Sequence, residues 1–352
     1  PLKAEYIGLL KHKFEQFHPP ERGSDFARAS GAVQLAQYKI EIEAMLRTPS
    51  MSGFHLNGLM DYPGEGVALI GMLDAMGESK GIITPEKWRM FCSETVPLVR
   101  LPSMTFRAGN EFLVPVEVRH HGAKDLHGTE WNWRIADQEG KDIDRGTLGK
   151  IDVPTGALTM LGTIRMQLPK LKQPEELTLQ VWMENSQVKN DWRFWVYPVS
   201  GSPEMPSDVL IAGEWTPEVK KRLKSGGKVL LTPAKEDVQN PVDVRFGTVF
   251  WGRGLFPDLI RSMGIYCDPV HPALSQFPTW EYSGWQWYDL LTDACALTLN
   301  DLPLEYEPVV YMIDDFNESH RLGVLMEARV GKGSLLISTL NFGEEGERSL
   351  TQ

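Results

Sequence analysis

Gly53-Phe54-His55-Leu56-Asn57-Gly58-Leu59-Met60-Asp61-Tyr62-Pro63-Gly64-Glu65-Gly66 decides how this 352-residue chain is read. The stretch reads as one buried strand that ends in a polar, aromatic loop punctuated by Gly and Pro. Strand-then-loop is where (β/α)8 barrels keep their chemistry, on the loops at the C-terminal ends of the strands. Only residues 1–52 precede it, whereas a whole barrel takes roughly 250 residues. The expectation is therefore the tail of a barrel, joined to further domains.

Composition bounds the rest. Hydrophobic residues make up 42% and charged residues 24%, ordinary values for a soluble globular protein with several domains. The formal net charge is −11, and no basic stripe is present to neutralise phosphates, so nucleic acid is not an expected partner. No apolar run reaches the roughly 18 residues of a membrane span. Cys92, Cys267 and Cys295 are odd in number and far apart, with no CxxC or Cys/His spacing. They read as small buried hydrophobes, and no metal or cofactor is expected. The sequence opens on Pro1 with no signal-peptide pattern, which leaves the compartment undetermined.

The patterning divides the chain into three segments. Residues 1–92 are mainly helical. Leu2 to Phe17 has apolar residues at helical spacing and stops at Pro19-Pro20, and a second helix, capped by Ser24 or Asp25, runs to Arg47. The strand Gly53–Leu59 comes next, then a short helix with Thr84 as N-cap and Pro85 at N1. Residues 93–198 change character. Phe112–Arg119, Trp131–Ile135 and Leu177–Met183 alternate, Asp137-Gln138-Glu139-Gly140 makes a turn, and Trp192–Pro198 closes the segment, which predicts a β-sandwich. After a linker at Gly201–Pro206, residues 203–352 carry continuous apolar strands at Asp208–Ala212, Lys228–Thr232, Val309–Ile313 and Ser334–Ser338. A helix starts at Thr216-Pro217-Glu218 and ends at Gly226-Gly227. That pattern predicts a mostly parallel, doubly wound α/β sheet.

Some residues carry chemistry. Asp61, Tyr62 and Glu65 place two carboxylates and a ring within five positions, the kind of set that takes sugar hydroxyls and stacks on the apolar sugar face. The same residues also make a Pro-Gly turn into a helix, and spacing alone leaves both readings open. Two acids on one tight turn do not straddle a glycosidic bond the way a catalytic pair must. His55 and Asn57 share one face of the expected strand, either toward a ligand or as a buried polar pair. His120, His121 and His127 read as surface histidines, since their spacing fits no strong metal pattern. Phe277-Pro278-Thr279-Trp280-Glu281-Tyr282-Ser283-Gly284-Trp285-Gln286-Trp287-Tyr288 is dense enough for a carbohydrate platform, although such runs more often form a core or an interface. Thiol catalysis is not expected: the turn after Lys228–Thr232 is Pro233-Ala234-Lys235, and Cys267 is not on a nucleophile elbow. Gly331-Lys332-Gly333-Ser334 falls short of a phosphate-loop frame.

Taken together, Tyr38-Lys39-Ile40-Glu41-Ile42-Glu43-Ala44, Arg47-Thr48-Pro49, Gly53–Leu56 and Asp61–Gly66 resemble the end of the catalytic barrel in glycoside hydrolase family 2, of the β-galactosidase-like type common in gut Bacteroidetes. Gly71–Ala75 and Ser79-Lys80-Gly81 are similar to the segment just past the last barrel strand there. The second segment looks like that family's immunoglobulin-like sandwich. Cys267-Asp268-Pro269, His271–Leu274, Trp285-Gln286-Trp287, Ile313–Asn317 and Gly331-Lys332-Gly333 make the third resemble its amidotransferase-like, non-catalytic domain.

The resemblance implies a retaining β-glycosidase as parent, working through two glutamates on earlier barrel strands. No position here matches either glutamate, so no catalytic residue is assigned. What it leaves to this chain is one wall of a sugar site, made by His55, Asn57, Asp61, Tyr62 and Glu65, although the family commonly has Gln where this chain has Glu65. The implied partner is a β-glycoside oligo- or polysaccharide, and the family's habit implies the periplasm or secretion. A non-catalytic carbohydrate-binding or scaffold protein is the alternative. An orphan strand with open edges would favour a homo-oligomer, or packing of the first segment on the others.

Overall fold

A computed structural model describes residues 5–62, 70–199, 206–247 and 261–343. Glu65 and Gly201–Met205 of the expected linker lie outside them. Helix α1 (Glu5–Phe17) ends just ahead of Pro19-Pro20, and the long helix α2 (Arg22–Arg47) comes after it. α2 starts earlier than its expected caps. Ser24 Oγ donates back to the Glu21 carbonyl at 3.0 Å, and Asp25 is held by Arg22 at 2.9 Å and Arg28 at 2.6 Å, so neither caps the helix.

α2 is buried by different partners along its length. Near its start, Phe26 and Ala29 pack on Tyr311 and Ile313. Near its end, Ile42 and Leu46 pack with Phe91, Val96 and Leu98. Between them sits the Glu43 carboxylate, with its side chain 4% exposed. It accepts hydrogen bonds from Asn190 Nδ2 and Trp192 Nε1 at 2.9 Å each, and from Lys39 Nζ, with Arg47 at 3.6 Å. A short helix α3 (Pro85–Arg89) begins as its sequence predicts, Thr84 Oγ1 accepting from the Lys87 N–H.

The expected strand at Gly53–Leu59 does not form. The chain there makes no ladder, and Phe54, His55 and Asn57 are exposed. A strand needs a neighbour for its N–H and C=O groups, and none of the strands among the described residues lies beside it.

The second segment is the expected two-sheet sandwich. Its strands are β1 (Thr95–Val99), β2 (Thr105–Arg107), β3 (Glu111–His120), β4 (Leu126–Ala136), β5 (Asp142–Val153), β6 (Leu158–Gln167), β7 (Glu175–Met183) and β8 (Lys189–Tyr197). One sheet has the order β1-β3-β6 and the other β2-β8-β7-β4-β5. Alternate residues point inward: Phe112 and Val114 meet Trp131, Ile135, Leu179 and Phe194 in one core. The far half of β3 loses its alternation because α2 covers its second face, where Arg119 reaches the Leu46 and Thr48 carbonyls at 2.9 and 2.8 Å. His120, expected at the surface, is instead buried between Thr95 Oγ1 and the Lys124 carbonyl, each at 2.8 Å. His121 and His127 are exposed.

The third segment holds β9 (Val209–Ala212), α4 (Pro217–Lys224), β10 (Lys228–Leu231), β11 (Val242–Asp243), β12 (Ile265–Cys267), α5 (Trp287–Leu291), β13 (Cys295–Thr298), β14 (Val310–Ile313), β15 (Arg321–Val330) and β16 (Gly333–Ser338). Here the expectation of a mostly parallel sheet is corrected. Among the described residues of this segment, only β9-β10-β16 pair in parallel, and β11 to β15 pair antiparallel. Gly331-Lys332 is the reason at one point: it is the tight turn of a β15–β16 hairpin, with Gly331 at φ +62°. The aromatic run Phe277–Tyr288 is part core and part interface: Phe277, Trp285 and Trp287 pack into the segment's own core, and other residues of the run meet the sandwich. Trp195 Nε1 donates to the Pro278 carbonyl at 3.1 Å, Tyr197 OH to Gln286 Oε1 at 2.6 Å, and Trp280 Nε1 to Glu176 Oε2 at 2.7 Å.

These junctions can be tested by substitution. Glu43→Leu strips the acceptor from three side chains at once and should cost about 3 kcal/mol, read as a lower urea midpoint by circular dichroism. His18, 3% exposed, donates from Nε2 to the Ser319 carbonyl at 3.2 Å and leaves Nδ1 buried without a partner. Burial pushes its pKa down to about 4, against an unfolded value of about 6.5. The unfolded chain therefore binds the extra proton between those values, so the stability linked to His18 is full above about pH 6.5 and falls as the pH drops toward 4. His18→Phe should remove about one proton's worth of slope in that window, checked by unfolding at stepped pH.

Candidate functional site

The segment Met51–Tyr62 is held at one end by a compact crossing. The Asp61 N–H donates to the Leu73 carbonyl and the Leu73 N–H to the Leu59 carbonyl, both at 3.0 Å. Asp61 Oδ1 accepts from the Gly71 N–H at 2.9 Å and from Lys80 Nζ at 2.7 Å, and the residue is 7% exposed. Gly71 is required there, because a Cβ would lie 2.4 Å from the Asp61 nitrogen. Behind the crossing, Asp74 Oδ1 caps a turn through the Met76 and Glu78 N–H groups at 2.8 and 2.9 Å. Gln34 of α2 donates to the Ile70 carbonyl at 2.6 Å.

The sequence-predicted site residues separate into two roles. Asp61 is an anchor: its charge is met by an ammonium and a backbone N–H, which suits it to holding the loop and not to proton transfer. Tyr62 is 59% exposed and Phe54 38%, and His55 and Asn57 are exposed beside them. Rings and polar groups along one exposed segment can bind a ligand that is apolar on one face and hydroxylated at its rim. Glu65 lies outside the described residues. The partners of Asp61 were not singled out as site residues. Gly71 and Lys80 are 10 and 19 positions away, and only their place in the runs Gly71–Ala75 and Ser79–Gly81 marks them in the sequence.

Other chemistry finds little support. Among the described residues no group of three or more His, Cys, Asp or Glu is placed to hold a metal ion. Burial pushes the Cys267 thiol up to about 12, which keeps it protonated and not a nucleophile at neutral pH. Cys295 is buried and pushed up by the same cause.

A family model described as a domain of unknown function, DUF8487, matches residues 210–352, and a second, DUF8488, matches residues 110–198. No curated protein matches the chain. The solved structures it is similar to are distant. They include an alkylpurine DNA glycosylase of Pseudomonas fluorescens bound to DNA (9% identity, TM-score 0.25, covering 30% of each chain). A family 123 glycoside hydrolase of Clostridium perfringens shares 7% identity at TM-score 0.23, covering 38% of this chain and 32% of that one. A β-glucuronidase of Parabacteroides merdae shares 15% at TM-score 0.23, covering 40% of this chain and 21% of that one. The chain thus spans a third or less of the length of these proteins, and the scores fall well short of a shared fold.

The anchoring role of Asp61 is testable. Asp61→Ala should speed hydrogen exchange at the Gly71 amide by about tenfold, the loss of one hydrogen bond to a charged acceptor, while amides in β3 and β7 stay protected.

Proposed function

We propose that the chain is the C-terminal portion of a retaining β-glycosidase, without the catalytic glutamates, and that Met51–Tyr62 forms one wall of a sugar site completed by an upstream barrel. The observation that carries this reading is the contrast along one short segment. Met51, Phe54, Leu59, Met60 and Tyr62 are exposed by 38–59%, although the Asp61 crossing fixes where the segment ends. An apolar run that is anchored and yet uncovered suits a surface that another part of a protein completes. The second segment then serves as the immunoglobulin-like sandwich of that enzyme. The third serves as its amidotransferase-like domain, which the protonated, buried Cys267 suits to a non-catalytic role. Family resemblance adds the β-glycoside substrate, with His55, Asn57, Tyr62 and Glu65 contacting it and Asp61 positioning them.

The test is expression of the coding region together with its upstream sequence, assayed on nitrophenyl β-glycosides. The longer protein should turn over at least one of them, and the present chain none. Tyr62→Ala in the longer protein should raise KM about tenfold with kcat little changed, as for loss of binding shared by ground and transition states. Turnover by the present chain, or none by the longer protein, overturns the reading.

A further inference from the structure

The outer face of the five-stranded sheet carries a polar grid that the wall at Met51–Tyr62 does not use. Strand register aligns Asn132 of β4 with Trp182 of β7 and Lys189 of β8, and, one step along, Arg134 with Gln180 and Asp191. With strands about 4.8 Å apart and same-face residues about 7 Å apart, the two rungs cover roughly 10 by 7 Å. They form the floor of a groove of about 780 Å³. Its rims come from α3 and the residue beyond it, through Lys87 and Met90, and from β5, through Asp142 and Arg145.

The grid is braced. Arg134 Nε donates to Gln180 Oε1 at 2.7 Å. Trp182 Nε1 and Asn132 Nδ2 both donate to Glu184 Oε2, at 3.2 and 3.0 Å. These bonds pin the indole by its edge, half-buried in the middle of the upper rung. Ordered amide, guanidinium and indole groups on two adjacent strands, with an ammonium on a third, are what a sugar needs: a ring for its apolar face and planar groups for vicinal hydroxyls.

The charge of the groove narrows the ligand. Four cations and two carboxylates line it, and the Glu184 carboxylate at its edge is a third, which still leaves one cation in excess in a chain of net charge −11. The two lining carboxylates are already engaged: Asp142 by Arg134 at 3.4 Å and Arg145 at 3.7 Å, Asp191 by Lys87 at 3.7 Å. Lys189 has no acidic partner among the described residues. A local cationic excess on an acidic protein selects an anion. A guanidinium and an ammonium on adjacent rungs, roughly 7–10 Å apart by strand spacing, suit carboxylates on successive sugar units.

We infer that this groove is a second, non-catalytic site for a uronate-bearing oligosaccharide. The inference requires neither an upstream barrel nor any residue of Met51–Tyr62. It is tested by calorimetric titration of the full chain with trigalacturonate and, separately, with the neutral trimer cellotriose. The acidic trimer should bind with Kd on the order of 1 mM, weakening as salt is raised, and the neutral trimer about tenfold more weakly or not at all. Trp182→Ala should abolish binding and Lys189→Ala should weaken it about tenfold, with Lys189→Arg restoring it and Tyr62→Ala leaving it unchanged. Lys189 is exposed, so its two variants decide the matter even where Trp182→Ala unfolds. Absence of binding, equal binding of both trimers, or indifference to Lys189 overturns the site. Each of those results leaves the glycosidase reading to be decided by its own assay.

Discussion

The carboxylate of Glu43 is the point at which a helix and a sandwich become one body. A buried carboxylate is unfavourable unless its lone pairs are filled. Here Lys39 and Arg47 come from the same helix, and Asn190 and Trp192 from β8 of the sandwich. Asn190 in turn donates to the Pro97 carbonyl at 2.9 Å, which brings β1 into the same network. The arrangement is satisfied only in one register of helix against sheet. Apolar packing by Ile42 and Leu46 supplies attraction without direction, whereas the charge fixes position.

The same helix reaches the third segment, and the physical means change along it. At its start the contact is aromatic, with Phe26 packed on Tyr266 and Tyr311 at ring-centroid distances of 5.8 and 5.4 Å. Arg22 adds a hydrogen bond to Tyr266 OH at 3.2 Å and an ion pair with Glu307. A Cβ on Gly264 would lie 2.7 Å from Val33, so the chain just ahead of β12 approaches the helix as closely as a glycine permits. The sandwich closes the third side through Trp195, Tyr197 and Glu176, with Arg193 stacked over Trp280 at 4.9 Å. Each segment therefore touches the other two.

What the sequence made legible were local signals with a local cause. Thr84-Pro85 and Thr216-Pro217 start helices because a hydroxyl cap and a fixed φ act within one turn. The alternation in Phe112–Val118 and Leu177–Met183 declares a half-buried strand wherever a second sheet lies opposite. Partnership over distance was not legible. Gly53–Leu59 has a strand's composition, yet composition cannot supply a neighbour. The apolar strands of the third segment read as parallel because buried strands look alike in either direction; the short turn at Gly331-Lys332 was the cue that β15 and β16 run antiparallel. His120 looked like a surface residue because its partners, Thr95 and Lys124, are set by folding and not by spacing.

The site residues divide along the same line. Asp61 drew notice as a carboxylate near a ring, but its chemistry is decided by Gly71 and Lys80, which bind its Oδ1 and leave it an anchor. With the anchor fixed, the exposed ring of Tyr62 does not arise from slack. A slack segment would turn its apolar groups onto the nearest core, yet the apolar cluster that Ile42, Leu46 and Phe91 form beneath α2 includes neither Phe54 nor Tyr62. Tyr62 stays outward directly beside a backbone tied at both Leu59 and Asp61, so its exposure is built by the crossing itself. His55 and Asn57 lie between the two rings in sequence and are exposed with them, so polar and apolar groups alternate along one uncovered stretch.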